Sequence, residues 1–199
     1  MRILLAVAVL AVTACATTQT SPSAQGWQQL ATQTDRQRLR DWRKAFTTAL
    51  QQARATNAVD VTREGRLLDP DAAIGGVPIP DGNYHCRVVK VGAKTEGMLN
   101  YVAYPAFRCR IEAGATQRFT KLTGSQRPVG LVYPADAMRQ VFLGTLVLGD
   151  ETQAYQYGRD EDRDLAAWVE RIGDNRWRML FPYPHYESTL DVIELTPEQ

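Results

Sequence analysis

Histidine is almost missing from this chain: His85 and His185 are the only two. A metal site built on several imidazoles is excluded, and a histidine-based catalytic centre has few places to stand. Cysteine is nearly as scarce. Cys15, Cys86 and Cys109 include no Cys-x-x-Cys spacing, so a zinc ribbon and a dithiol redox motif are both excluded. No charge of one sign dominates, since 23 Lys and Arg against 22 Asp and Glu leave a net charge of +1. Without a surplus of cations to neutralise phosphates, nucleic acid is not an expected partner. The same balance gives little electrostatic pull towards anionic lipid. Long apolar runs are lacking too. The run Ile3 to Val12 is ten residues, about half of what a membrane-spanning helix needs.

The flanks of that short run decide its meaning. Arg2 is a minimal cationic n-region and Ile3 to Val12 an h-region, the pattern of an export signal rather than a span. Val12-Thr13-Ala14-Cys15 resembles the lipobox of bacterial lipoproteins, with Val where family examples more often carry Leu. The resemblance implies removal of residues 1–14, thioether diacylation of Cys15 and acylation of its new amine. Several acyl chains, at roughly 0.8 kcal/mol per buried CH₂, then hold the protein on a membrane that its charge would not hold. An ordinary secretory peptide with a coincidental cysteine is the alternative. Ala16, which is not Asp, favours the outer membrane by analogy with lipoprotein sorting, on the periplasmic side of the envelope.

Export places Cys86 and Cys109 in an oxidising compartment, where two thiols normally bond. Their disulfide closes a loop of about two dozen residues, worth roughly 3 kcal/mol in the chain-entropy model. Residues 15–33 read as a lipidated tether, small and polar in Ala16 to Gly26, with Trp27 and Leu30 able to begin docking. Residues 34–58 read as one amphipathic helix. Thr34 or Asp35 serves as cap, Asn57 suits the exit, and Leu39, Trp42, Phe46, Leu50 and Ala53 form one apolar stripe. Residues 59–80 are a Gly- and Pro-rich connector laid over the surface.

From residue 81 to 197 short strand-like runs alternate with turn signals. They are Asn83–Val89, Leu99–Ile111, Gln117–Thr123, Val129–Tyr133, Gln140–Leu148, Thr152–Tyr157, Leu165–Ile172, Arg176–Phe181 and Thr189–Leu195. Gly173-Asp174-Asn175 marks a tight hairpin, and Pro105 a bulge or edge position. Tyr84, Cys86 and Val88 share one face of a strand, as do Phe107, Cys109 and Ile111, so a Cys86–Cys109 bridge staples matching faces. The fold expected is mainly β: an antiparallel barrel or barrel-like sandwich of about eight or nine strands with one N-terminal amphipathic α-helix.

Several segments carry a family likeness. They are Leu39-Arg40-Asp41-Trp42-Arg43, Leu68-Asp69-Pro70-Asp71-Ala72, Asn83-Tyr84-His85-Cys86-Arg87, Tyr104-Pro105-Ala106-Phe107-Arg108-Cys109-Arg110, Lys121 to Pro128, Phe142-Leu143-Gly144-Thr145 and Glu170-Arg171-Ile172-Gly173. Together they resemble the bacterial family called domain of unknown function 4893, over about residues 35 to 197. The resemblance implies an exported envelope protein and brings no activity, cofactor or site residues.

Chemistry is sparse. Ser188, His185 and Glu187 crowd one local segment with no strained nucleophile turn or oxyanion hole, so no catalytic residues are assigned. Asp160, Asp162 and Asp164 match the start of a calcium loop, but Leu165 and Arg171 stand where Gly and Glu are required. No metal ligand or cofactor is therefore assigned. Ser125, Gln126 and Arg127 offer hydrogen-bond donors for a carboxylate or sugar at a barrel rim, and Trp168 offers a stacking face. A structural role, strand ends for the first three and core for the tryptophan, is the competing reading of each. The expected function is a non-enzymatic envelope module that binds a small molecule, glycan or envelope protein. The rivals are a scaffold or inhibitory module acting on an envelope protein, and a cell-wall or lipid-processing hydrolase. Mass spectrometry of the protein from its native envelope is expected to find an acylated Cys15 at the N-terminus. An unmodified thiol there, or a retained Met1, contradicts the anchor.

Overall fold

The computed structural model describes residues 26–76 and 78–198. The signal segment, Cys15 and most of the tether lie outside the described residues. Ordered structure begins before the expected helix, with α1 (Trp27–Leu30), α2 (Gln33–Arg40) and α3 (Trp42–Arg63) in place of a single helix. Thr32 is the working cap, upstream of the expected Thr34 or Asp35. Its hydroxyl accepts from the Asp35 N–H at 3.1 Å and donates to the Asp35 carboxylate at 3.2 Å, a reciprocal arrangement that satisfies donors of the first turn. Asn57 is a kink (φ −134°, ψ 41°) and not an exit, because α3 resumes beyond it. The real stop is Gly65, whose φ of +53° follows the C-cap Glu64 in the left-handed conformation that ends many helices. The first residues of the expected connector are therefore helical, and a 3₁₀ turn (Gly65–Leu68) follows.

Nine strands are described: β1 (Gly82–Ala93), β2 (Tyr101–Ala103), β3 (Phe107–Glu112), β4 (Gln117–Lys121), β5 (Gln126–Pro134), β6 (Arg139–Leu148), β7 (Asp164–Gly173), β8 (Arg176–Pro182) and β9 (Ser188–Pro197). All pairings are antiparallel. From β3 to β9 each strand pairs with the next, and β1 joins β3 on one side and β9 on the other, closing an eight-stranded barrel. The extra strand β2 continues the edge of β1 beyond β3. The expected single strand Leu99–Ile111 is thus two, parted at Pro105, which has no N–H for the ladder. Thr152–Tyr157 is not a strand. The edge of β6 that it would need is taken directly by β7, so the segment crosses the outside as a loop. The tight turn at Asp174-Asn175 forms as the sequence indicates. Cys86 and Cys109 are disulfide-bonded with Cα atoms 6.0 Å apart, diagonal to each other across the β1–β3 ladder.

Alternation along the strands sorts side chains to the two faces of the wall. Inside, Tyr84, Ile111, Trp177 and the connector residue Ile79 plug one end, with Tyr84 edge-on to Trp177. The plug is tied down by polar groups. Gln117 donates to the Ile79 carbonyl at 2.8 Å, and the Tyr84 hydroxyl to the Pro80 carbonyl at 2.6 Å. Mid-barrel, Phe142 stands edge-on to both Phe119 and Phe181. The Phe142 ring lies across the facing glycines Gly130 and Gly144. A Cβ on Gly130 would come within 2.7 Å of that ring and 2.3 Å of the Leu143 carbonyl oxygen, so the pair admits no side chain.

The helices cover part of the barrel's outer wall. Phe46, Ala49, Leu50 and Ala53 of α3 pack on Val89, Val91, Leu180, Leu190 and Val192, while Leu39 of α2 packs on Val141, Leu143 and Ala166. Between wall and helices lies an ion pair with both side chains essentially unexposed. Arg178 of β8 donates through Nε to Glu170 of β7 at 2.8 Å, and through Nη1 to the carbonyls of Arg66, Leu67 and Asp69 at 3.1, 2.9 and 2.7 Å. Removing Arg178 leaves the buried Glu170 carboxylate with Arg139 alone, 4.0 Å away and without a hydrogen bond to it. Arg178→Ala is expected to cost about 3–5 kcal/mol. The Arg178→Met/Glu170→Met double variant is expected to recover part of that loss, the Leu67 carbonyl still lacking its donor, as urea unfolding of both variants will measure.

Candidate functional site

The end of the barrel opposite the plug is not filled. A cavity of about 480 Å³ opens there, within the range of small-molecule sites. Its deeper wall is apolar and comes from inward positions of six strands: Val88, Pro128, Leu146, Leu165, Phe181 and Ile193. One step nearer the mouth the inward positions turn polar, with Lys90 of β1, Lys121 of β4, Gln126 of β5 and Asp191 of β9. The segment following β8 forms a lip carrying Pro184, His185, Tyr186 and Glu187. Tyr183 (φ +48°) and Glu187 (φ +65°) hold uncommon left-handed conformations at its two ends. The Lys94 ammonium clamps the lip by donating to the carbonyls of Pro184 and, at 3.1 Å, His185.

The charged groups at the mouth differ in how they are matched. Lys90 and Asp191 are register partners on adjacent strands, with Nζ 3.4 Å from the carboxylate and 2.7 Å from Glu187. Burial opposes the Lys90 charge, but the two carboxylates outweigh it and hold its pKa above the ordinary value. Burial lifts the Asp191 carboxyl, although Lys90 and the Ser188 hydroxyl that donates to it pull the other way. Lys121 is matched by no carboxylate within 4.0 Å among the described residues. Its Nζ donates to the Gln126 carbonyl at 2.7 Å and sits 3.8 Å from the centroid of the Phe107 ring. Only 4% of its surface is exposed. Burial foremost, then the cations Arg127 and Lys90, bring its pKa down to about 8.

Of the residues singled out from sequence, Ser125 and Gln126 line the cavity. Arg127 does not. Following an inward residue on a strand, it points outwards, where its guanidinium donates to the carbonyls of Gly124, Gly149 and Glu151 at 2.8, 2.7 and 2.7 Å. That grip fastens the β4–β5 turn to the β6–β7 connection. Trp168 lies on the outer face of β7 beneath the helices. Its indole N–H donates to the Leu39 carbonyl at 2.9 Å, and its ring meets Trp27 edge-on at 5.7 Å. Arg139 stacks between it and Trp42, at 4.9 and 5.1 Å from the two ring centroids. Neither Arg127 nor Trp168 is part of the chamber, which corrects their expected grouping with Ser125 and Gln126.

The local trio near the C-terminus is divided among separate partners. The Ser188 hydroxyl serves Asp191, Glu187 serves Lys90, and His185 Nδ1 lies 3.4 Å from Asp162. Asp160 and Asp164 accept backbone N–H groups of Asp162 and Gly158 at 3.1 and 2.9 Å, as turn-forming aspartates do. Among the described residues no three His, Cys, Asp or Glu side chains gather as a metal site. Lys90, Lys121 and Asp191 were missed by the sequence reading. Their signal was there: each occupies an inward step of an otherwise apolar alternation, as in Cys86-x-Val88-x-Lys90, Phe119-x-Lys121 and Asp191-x-Ile193-x-Leu195.

These features define a small closed antiparallel β-barrel with one chambered end. The chain belongs to the family described as domain of unknown function (DUF4893), whose model matches residues 27–195. The match takes in α1, upstream of the expected start, in keeping with the early docking of Trp27. No curated protein and no solved structure matches the chain.

Lys121 has a direct signature in stability. Its folded pKa of about 8 lies below the ordinary 10.5, so between those values the unfolded chain holds the extra proton and stability rises with pH. Lys121→Met is expected to stabilise the protein by roughly 1–3 kcal/mol at pH 7. In denaturant titrations across pH 7–10.5 that advantage should be constant below about pH 8 and shrink as pH rises towards 10.5.

Proposed function

We propose that the protein is a non-enzymatic binding module of the bacterial cell envelope that holds a small molecule in the open end of its barrel. Acyl chains on Cys15 would tether it to the periplasmic side of the outer membrane. The chamber carries this reading: a concave, apolar-walled space of about 480 Å³ with a few polar groups at one level is the usual make-up of a small-molecule site. The Cys86–Cys109 disulfide fits a protein that folds in an oxidising compartment. Among the described residues no helix is long and apolar enough to cross a membrane.

The rival readings find less support. A scaffold or inhibitory module expects a filled interior and an exposed working loop, whereas this interior is open at one end. A hydrolase reading expects His185, Glu187, Glu170 and Arg127 to converge. His185 and Glu187 stand on the lip, Glu170 is paired with Arg178 outside the barrel, and Arg127 faces outwards. The test is fluorescence titration with N-phenyl-1-naphthylamine, a neutral apolar dye. The wild-type protein should bind it saturably at one site, and Leu146→Trp, which fills the chamber from its wall, should weaken binding at least tenfold with an unchanged circular dichroism spectrum. Equal binding by both proteins would place the dye elsewhere and remove the support for the chamber.

A further inference from the structure

We infer that the chamber's ligand is a monoanionic amphiphile, its apolar body in the barrel and its anionic head on Lys121, with Gln126 and Ser125 beside it. This rests on the reading of the chamber as a ligand site and deepens it by naming the chemistry.

The layering of the inward positions sets the orientation. Apolar side chains form the deeper wall and charged ones the level above, so a molecule that fills the space meets hydrocarbon below and polar groups at one height. The charge at that height then selects the head. Lys90 is matched by Asp191 and Glu187, Asp191 also accepts from Ser188, and Asp162 lies against His185. Each acidic group at the mouth already has a protein partner. Lys121 has none that carries negative charge among the described residues. An ammonium has three N–H groups. One goes to the Gln126 carbonyl, the Phe107 face takes another, and the third is left for the chamber.

The neighbours of Lys121 have donors to spare as well. The Gln126 side-chain oxygen faces Lys90 Nζ at 3.4 Å, and its amide N–H groups have no acceptor among the described residues. The Ser125 hydroxyl lines the same wall and has no partner there either. Surplus donors around one unmatched cation fit a carboxylate or a similar small anionic head. An amine would meet carboxylates that already have partners and a cation beside it. The lowered pKa of Lys121 agrees, since an incoming anion would restore the charge that burial, Arg127 and Lys90 oppose. The other ionisable groups facing this space are Lys90, His185, Glu187, Asp191, Asp162, Tyr104 and Tyr186; Lys90 is paired with Asp191 and Glu187, and His185 lies against Asp162.

The test is displacement of N-phenyl-1-naphthylamine from the full chain by decanoate, decanol and decylamine, three ligands with one tail and different heads. At pH 7 decanoate should displace the dye at a concentration at least tenfold below decanol, with decylamine weakest. Lys121→Gln and Lys121→Met should abolish the decanoate advantage and leave decanol unchanged. In the wild type the decanoate affinity should be flat below about pH 8 and fall by up to tenfold per pH unit above it, while decanol stays constant. Decanol matching decanoate on the wild type, or decanoate binding unaltered in both Lys121 variants, would overturn the anionic head and leave the chamber reading standing. Failure of all three compounds to displace a dye that Leu146→Trp also fails to exclude would overturn both.

Discussion

The pairing of β1 with β9 is the constraint on which the rest of this structure depends. It closes eight strands into a ring, and a ring of that size has an interior that side chains just fill. Once the ring is closed, every inward position becomes either packing or the wall of a space, and every outward position faces solvent or the helices. The middle of the barrel shows how little room there is. Phe142 can cross the axis only because Gly130 and Gly144 face it without side chains. With the middle taken by Phe119, Phe142 and Phe181 and one end by Ile79, Tyr84 and Trp177, the chamber opens at the other end.

The helical layer depends on the same ring for a different reason. Its apolar stripe needs a surface, and the outward residues of β1, β8 and β9 supply Val89, Val91, Leu180, Leu190 and Val192. Apolar packing alone is indifferent to small slides. Arg178 is not indifferent, because its guanidinium must meet Glu170 and three carbonyls at the end of the 3₁₀ turn at once. Of the three, the Arg66 and Asp69 carbonyls also accept from the backbone N–H groups of Asp69 and Ala72, so the Leu67 carbonyl is the one that depends on Arg178. A buried pair of this kind adds little net energy over an apolar pair of equal volume. Its effect is to fix position, and Arg87 repeats the device nearby by bridging Glu64, at the end of α3, to Glu194 of β9.

Much of this was legible in the sequence, for identifiable reasons. Strand period and turn residues located seven of the nine strands to within a few residues and ran β2 and β3 together as one, because each strand has one face in the core and one out. The stripe Leu39, Trp42, Phe46, Leu50 and Ala53 was legible for the same reason and is the face that docks. Closure was expected only as one of two architectures, since periodicity says which face is buried but not which edge meets which. Thr152–Tyr157 misled because its tyrosines alternate like a strand; Tyr157 in fact turns aside to bond Asp35 at 2.6 Å. Trp168 misled in the opposite way. An aromatic on a strand of such a domain is assigned to the interior by habit, whereas β7 is covered on both sides and period alone does not tell them apart. Ser125 and Gln126, singled out for their polarity, line the cavity, but the same criterion included Arg127, whose side of the wall depends on register.

The two ends of the barrel treat their polar groups differently, and that contrast is the strongest physical statement about the chamber. At the plugged end, Gln117 and Tyr84 direct their donors at the backbone of residues 79 and 80, so polarity there is used to fasten the chain to itself. At the open end the lip is fastened as well, by Lys94, but one level inside it Lys121 lies 4% exposed with no carboxylate in reach among the described residues. A Met at that position would pack against Phe107 without the desolvation cost of an ammonium. Beyond the hydrogen bond to the Gln126 carbonyl and the Phe107 face, folding alone therefore gives no reason for a lysine at an inward step of β4. A negative charge that arrives from outside the chain does give one, because it converts the desolvated cation from a cost into a contact. The same reasoning separates Lys121 from Lys90, whose charge is matched by Asp191 across the ladder and whose role is complete within the fold.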